Sequence, residues 1–288
     1  MGQSSSNIKD VYKEINTLDG EFGVMTNGSE YANSLIKNYC RYTNPSLNGL
    51  CYGYLHSASS GVAYLLKNLM KYGLDYDKLA EYAILFLSYK LNRHPEDKNK
   101  FAKLNDFFTY RMRFEKHYNN KIKGNGPTYK EIIDRKKDLM NMNIKEIYKF
   151  NDPFSTLCKL YNEINKNNLD CKKCSEDANK FADQFNELNN DSNINGNTSY
   201  SKLLSTLSDD YYNLKKICEN DPSSNFPTLS PVKTPPNKLL PALSTFSVIP
   251  AFFGIAYKYS LFGIDKLFQR QYIRKKLKQV KKKMKLNI

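Results

Sequence analysis

Nineteen consecutive uncharged residues, LLPALSTFSVIPAFFGIAY at 239–257, constrain this chain more than any other feature. Six further uncharged residues, Tyr259 to Ile264, follow the single Lys258. At a rise of ~1.5 Å per residue, a helix of this length matches a hydrocarbon core of ~30 Å. Ser244, Thr245 and Ser247 can bond back to helix carbonyls. Pro241 lies in the first turn, where a missing N–H costs little. Pro250 should kink the helix, which membrane helices tolerate. A buried core helix would be shorter and polar on one face. The segment 239–264 is therefore expected to span a membrane. Lys258 can snorkel toward headgroups, and Tyr257, Tyr259, Phe262 and Phe268 sit where an interfacial aromatic belt would.

The residues after the span point the same way. DKLFQRQYIRKKLKQVKKKMKLNI, 265–288, has ten Lys or Arg against one Asp. Its net +9 is more than half of the +15 of the whole chain. An apolar span followed by a cationic tail predicts a single-pass anchor with 265–288 in the cytoplasm and residues 1–238 on the other side. Lys275, Lys276, Lys281, Lys282 and Lys283 are the tail cations expected to face anionic lipid; a solvated stop-transfer tail with no lipid role is the alternative. With the tail and Lys258 set aside, the remaining charge is only +5, so the basic pI does not argue for nucleic acid. The opening MGQSSSNIKDVYKEINTL holds no apolar run of a cleavable leader. Gly2 and Ser6 fit a myristoylation pattern, which would instead imply a cytosolic N-terminus.

Residues 1–219 are predicted to be all-helical. Tyr200, Leu203, Leu204, Leu207, Tyr211, Leu214 and Cys218 stripe one helix face over 198–218, capped by Thr198 or Ser199. Ala178, Phe181, Ala182, Phe185 and Leu188 do so over 175–189. Asp152-Pro153 opens a helix bearing Phe154, Leu157, Cys158, Tyr161 and Ile164. Further helices are expected at about 54–72, 76–92 and 97–119. Alternating apolar–polar runs are scarce, so no strands are expected. Loops are placed at 40–50, 120–127 and 189–197. Five of the chain's eleven prolines fall between Pro222 and Pro236, which predicts an extended stalk over 220–238.

Cys40, Cys51, Cys158, Cys171, Cys174 and Cys218 all precede the anchor, which fits three disulfides on an oxidising side; reduced core thiols are the alternative. Cys40 and Cys51, close in sequence and far from the rest, should pair. If helices 175–189 and 198–218 pack antiparallel, Cys218 meets Cys174, leaving Cys171 for Cys158. Cys171–Cys218 with Cys158–Cys174 is the competing pattern. The lone Cys171-Lys172-Lys173-Cys174 motif lacks the setting of a zinc or redox site, and His56, His94 and His117 are remote from it in sequence. No phosphate-binding loop, dinucleotide fingerprint, nucleophile elbow or HExxH motif occurs, so no enzyme, cofactor or metal is expected. Asp209-Asp210, Glu219 and Arg135-Lys136-Lys137 are read as solvated helix faces. Asn27, Asn190 and Asn197 lie in glycosylation sequons.

IIDRKKDLMNMNIKEIYKFNDPFSTLCKLYNEINKNNLDCKKCSEDANKFADQFNEL (132–188), SYSKLLSTLSDDYYNLKKIC (199–218) and the anchor with its tail closely resemble the Plasmodium interspersed repeat (PIR) family of malaria parasites. The likeness is greatest to its rodent-parasite branch. Asn38-Tyr39-Cys40 and Leu104-Asn105-Asp106-Phe107-Phe108 extend it upstream. The segment before residue 76 is less similar, and MGQSSSNIKDVYKEINTLDGEFG does not match the usual opening. The resemblance implies a disulfide-stapled helical ectodomain on one C-terminal transmembrane helix. It also implies a variant surface or exported antigen of blood-stage parasites, engaged in host-cell interaction or immune evasion. Such a protein would sit in the infected red-cell, vacuole or parasite membrane and meet a host receptor or glycan. The alternative is an internal membrane protein acting through its basic tail, recruiting anionic lipid or trafficking factors. The family offers no catalytic residues to carry over.

Overall fold

The computed structural model describes residues 5–43, 45, 50–112, 115–164, 171–219, 221 and 224–235. Met1–Pro235 form one compact unit; Pro236–Ile288 form a second, which lies outside the described residues. The expected span 239–264, the tail with Lys275, Lys276, Lys281, Lys282 and Lys283, and the Gly2 pattern therefore lie outside them too. Among the described residues, no helix is long and apolar enough to cross a membrane.

The first unit is mostly helical. Helix α1 (Ser5–Asp19) leads into a hairpin, β1 (Phe22–Val24) and β2 (Glu30–Ala32), then α2 (Ser34–Thr43). The long helices α3 (Gly53–Leu69) and α4 (Tyr76–Arg93) follow. The shorter α5 (Leu104–Met112), α6 (Tyr129–Asp134), α7 (Lys137–Met140) and α8 (Ile144–Tyr148) come next. Then come α9 (Asn151–Ile164), α10 (Ser175–Asn190), α11 (Ser192–Asn195) and α12 (Thr198–Ile217). The expected helices at 76–92, 175–189 and 198–218 are found within a residue or two, and that at 54–72 is α3 followed by a 3₁₀ turn, Met70–Tyr72. Asn197, not Thr198 or Ser199, caps α12: its side chain accepts from the amides of Ser199 and Tyr200.

Five features depart from expectation, the first being the short helix α11 (Ser192–Asn195) inside the loop expected at 189–197. The hairpin was not expected, because three-residue strands are too short to show alternation. Its signal is Asn27-Gly28: Gly28 takes φ +84°, and the Asn27 side chain accepts from the Ser29 amide and hydroxyl. The helix expected over 97–119 is instead α5 plus a 3₁₀ turn (Lys116–Asn119), with turns before Leu104. Helix α2 continues to Thr43, inside the loop expected at 40–50. Helix α1 is a further addition to the expected elements, with Ile8, Val11, Tyr12, Ile15 and Leu18 all buried on one face.

Helices α3 and α4 form the centre. Both are buried on nearly every side, the behaviour of a helix enclosed by neighbours rather than one with a wet face. Small residues make the enclosure of α3 possible. A Cβ at Gly61 would lie 3.2 Å from the Phe86 ring and 3.4 Å from that of Phe22. Helices α1, α9, α10 and α12 pack as a second group, joined to the centre through α1 and α4.

Candidate functional site

Two buried polar clusters and one exposed ridge stand out. The first cluster joins four helices. Tyr12 of α1 and Tyr82 of α4 both donate to the Asp210 carboxylate of α12, each at 2.9 Å to Oδ2. Tyr161 of α9 donates to the Asp210 carbonyl at 2.7 Å and stacks on Tyr12, ring centroids 4.3 Å apart. Asp210 was expected on a solvated face, but it is 2 % exposed. Asp210 lies three residues after Leu207 and four before Leu214, at the edge of the apolar stripe, so the periodicity does place it beside the buried face; its acidity argues the other way. Burial pushes the Asp210 carboxyl up to about 7. Arg135 and Lys136 are not plain solvent-facing cations either: Arg135 pairs with Asp77, and Lys136 with Glu81 at 2.7 Å.

The second cluster lies beneath α2. Cys40 of α2 is bridged to Cys51, Cα atoms 5.2 Å apart. The His56 ring ties both arms of this loop to α3. Its Nδ1 accepts from the Tyr52 amide at 3.0 Å, so Nε2 carries the hydrogen and donates to Thr43 Oγ1, also at 3.0 Å. Ser60 Oγ lies 2.8 Å from the same Thr43 oxygen. Deeper in, Arg111 Nε and Ser59 Oγ both donate to Glu115 Oε1 at 2.6 Å. Burial lowers both His56 and His117 to about 4. These two histidines, far apart in sequence, approach the same Thr43 and sit as neutral core groups. His94 lies elsewhere, its ring 4.4 Å from that of Tyr54. Among the described residues no group of three or more His, Cys, Asp or Glu is arranged to hold a metal.

Above this cluster runs the outer ridge of α2. Lys37, Asn38, Arg41 and Tyr42 face solvent, while Ile36, Cys40 and Thr43 face inward. Lys67 Nζ sits 5.2 Å from the Tyr42 ring centroid. The cleft between α5 and α6–α7, about 430 Å³, offers less chemistry, since its Lys130 and Asp134 pair with each other.

The second disulfide corrects the expected pairing. Cys218 is bridged to Cys171, not to Cys174, with Cα atoms 5.7 Å apart. Helices α10 and α12 do bring the end of one beside the start of the other. Residues 171–174 form a turn, however, and Cys174 already occupies the N-cap of α10. Helix ends alone cannot resolve a three-residue offset. Cys171 is thereby taken, so the expected Cys158–Cys171 bridge is not formed; Cys158 is a half-buried thiol.

The Pro-rich segment is extended, as expected, but up to Pro235 it is a strap rather than a spacer. Phe226 and Leu229 are buried. Tyr211 donates to the Pro227 carbonyl at 2.9 Å, and Asn189 to the Pro231 carbonyl at 2.9 Å. The Lys233 amide donates to Asn189 Oδ1 at 2.8 Å. Proline removes backbone donors, and the helices respond with side chains that reach its carbonyls.

Comparison with known proteins decides the family. The family model described as Plasmodium variant antigen protein Cir/Yir/Bir matches residues 12–258. The chain belongs to the PIR family. A solved Plasmodium PIR protein ectodomain is 33 % identical and superposes with a TM-score of 0.62, covering 81 % of this chain and 100 % of that one. A comparison with curated proteins finds no match. The PIR match includes α1 from Tyr12 onward, the hairpin and α2, where the sequence resemblance was weakest.

Proposed function

We propose that this PIR protein is a membrane-anchored variant antigen of blood-stage parasites. In this reading the helical unit is displayed on the outer face of a parasite, vacuole or infected-cell membrane and serves host-cell interaction or immune evasion. The observation that carries the reading is the family match itself, which runs from the helical unit into the uncharged segment as far as residue 258. Two disulfides in the helical unit agree with an oxidising side, and the +9 tail after the apolar segment agrees with a cytoplasmic C-terminus. The role is display and binding, not catalysis. Epitope tags at both ends, read before and after selective permeabilisation, test it. The N-terminal tag should be reached in intact cells and the C-terminal tag only after permeabilisation; the reverse pattern would overturn the reading. The +9 tail also supports a second reading, an internal membrane protein that recruits anionic lipid or trafficking factors. Surface protease shaving separates the two, removing the helical unit under the first and sparing it under the second.

A further inference from the structure

We propose that the exposed ridge of α2, with Lys67 beside it, binds a polyanionic carbohydrate, a sugar chain bearing sulfate or carboxylate groups. The inference deepens the display reading, since an outward helical unit is what would meet such a polymer.

The first observation is a gap in the charge pattern. From Tyr31 to Leu74 there is no Asp or Glu, although the chain as a whole holds 29 in 288 residues. The cations of this stretch are Lys37, Arg41, Lys67 and Lys71. Lys71 is matched by Glu14 at 2.6 Å. Lys37 and Arg41 make no ion pair or side-chain hydrogen bond among the described residues, and both are exposed. Four positions apart on one helix, they face the same way, and like charges at that spacing weaken a helix. An anion held between them removes that repulsion. Lys116, exposed on the 3₁₀ turn, extends the basic surface: the ring of the next residue, His117, lies 6.2 Å from that of Tyr42. Glu115 does not offset it, being buried against Arg111.

The second observation is the kind of surface between the charges. Tyr42 is 42 % exposed, with the Lys67 ammonium beside its ring. A sugar ring can lay its C–H face on the phenol while its anionic groups take charge-assisted hydrogen bonds from guanidinium and ammonium. None of the exposed side chains of α2 is aliphatic. A protein partner would need a dry apolar centre, and a bilayer would need apolar anchors; α2 itself supplies neither, and the exposed Leu50 and Tyr52 belong to the segment bridged to it at Cys51.

The third is rigidity. The Cys40–Cys51 bridge and His56 hold α2 from beneath, so little ordering is lost when a ligand binds.

The test is a titration of the full chain in neutral detergent with a heparin octasaccharide. The expected result is binding that weakens as salt rises, and at least a tenfold loss in the K37Q/R41Q/K67Q variant. The equal charge change K180Q/K202Q/K216Q, made elsewhere on the helical unit, should leave affinity within about twofold, by the additivity of distant sites. Y42A should weaken binding and Y42F retain it. Unchanged thermal unfolding of each variant guards against misfolding. Loss confined to tail substitutions at Lys281–Lys283, equal loss in the control triple, or no binding would each overturn the proposal. So would equal, ridge-dependent binding of polyglutamate or of phosphatidylserine vesicles, which would assign the ridge to an acidic protein or a lipid surface. None of these results bears on tag topology, so the display reading stands or falls separately.

Discussion

The Tyr12 hydroxyl donates to the Asp210 carboxylate at 2.9 Å across 198 positions of sequence. This one bond fastens the first helix to the last and closes the helical unit on itself. It also leaves a carboxylate deep in the core, where its charge is costly.

The Asp210 carboxyl, raised to about 7 by burial, sets a pH dependence. The unfolded chain releases this proton near pH ~4. The folded chain holds it longer, so the contribution to stability is whole below pH ~4 and lost as pH rises through about 7. The D210N variant should lack this decline when thermal unfolding is followed from pH 4 to 8. A variant profile parallel to that of the unsubstituted protein would contradict the assignment.

His56 and His117 act in the opposite sense. Burial lowers both to about 4. Below pH ~6.5 the unfolded chain takes up protons that the folded chain refuses, so stability falls as pH drops toward 4. Replacing His117 by Phe should remove about half of that acid limb. An unchanged limb would mean that His117 is not held neutral.

The Arg111–Glu115 pair should be expensive to break and cheap to replace. R111M leaves the Glu115 carboxylate, 1 % exposed, with only Ser59 as donor among the described residues. The expected loss is about 3–5 kcal/mol in urea unfolding, and the R111M/E115L double variant should recover most of it. A double variant no better than the single would show that the pair does more than neutralise itself.

The strap should contribute to stability. F226A should cost about 3 kcal/mol, because the ring is buried against Tyr211, centroids 6.1 Å apart. Limited trypsin digestion should then cut at Lys233 faster than in the unsubstituted protein. Equal cutting rates would indicate a segment that behaves as a free stalk.

Removing the second bridge by C171S/C218S should lower stability by about 2–4 kcal/mol. Non-reducing peptide maps should show Cys171 linked to Cys218 and Cys40 to Cys51. A Cys174–Cys218 peptide would restore the pairing expected from helix ends.

The sequence by itself determined the helical class, the long helices α3, α4, α10 and α12, the family and the segment that reads as an anchor. These are local signals: a 3.6-residue stripe, an uncharged run or a cysteine spacing is complete within its own stretch of chain. The pairing of Cys40 with Cys51 belongs here too, because loop closure over so short a stretch leaves few alternatives. What only the tertiary structure decided is how separate stretches meet. Asp210 read as solvated on its charge, although it stands at the edge of the α12 stripe; that Tyr12 and Tyr82 would arrive from other helices to receive the carboxylate is not written in α12. His56 and His117 looked unrelated until α2 brought Thr43 to both. The Pro-rich segment had the composition of a spacer, and whether its carbonyls would find donors depended on Tyr211, Asn189 and Ser201 on distant helices. The α2 ridge lay between these cases. Its lack of acidic residues was written in the sequence, but its meaning depended on which cations the fold left unmatched. Burial and charge compensation are properties of neighbours in space, and a stripe or spacing describes neighbours in sequence.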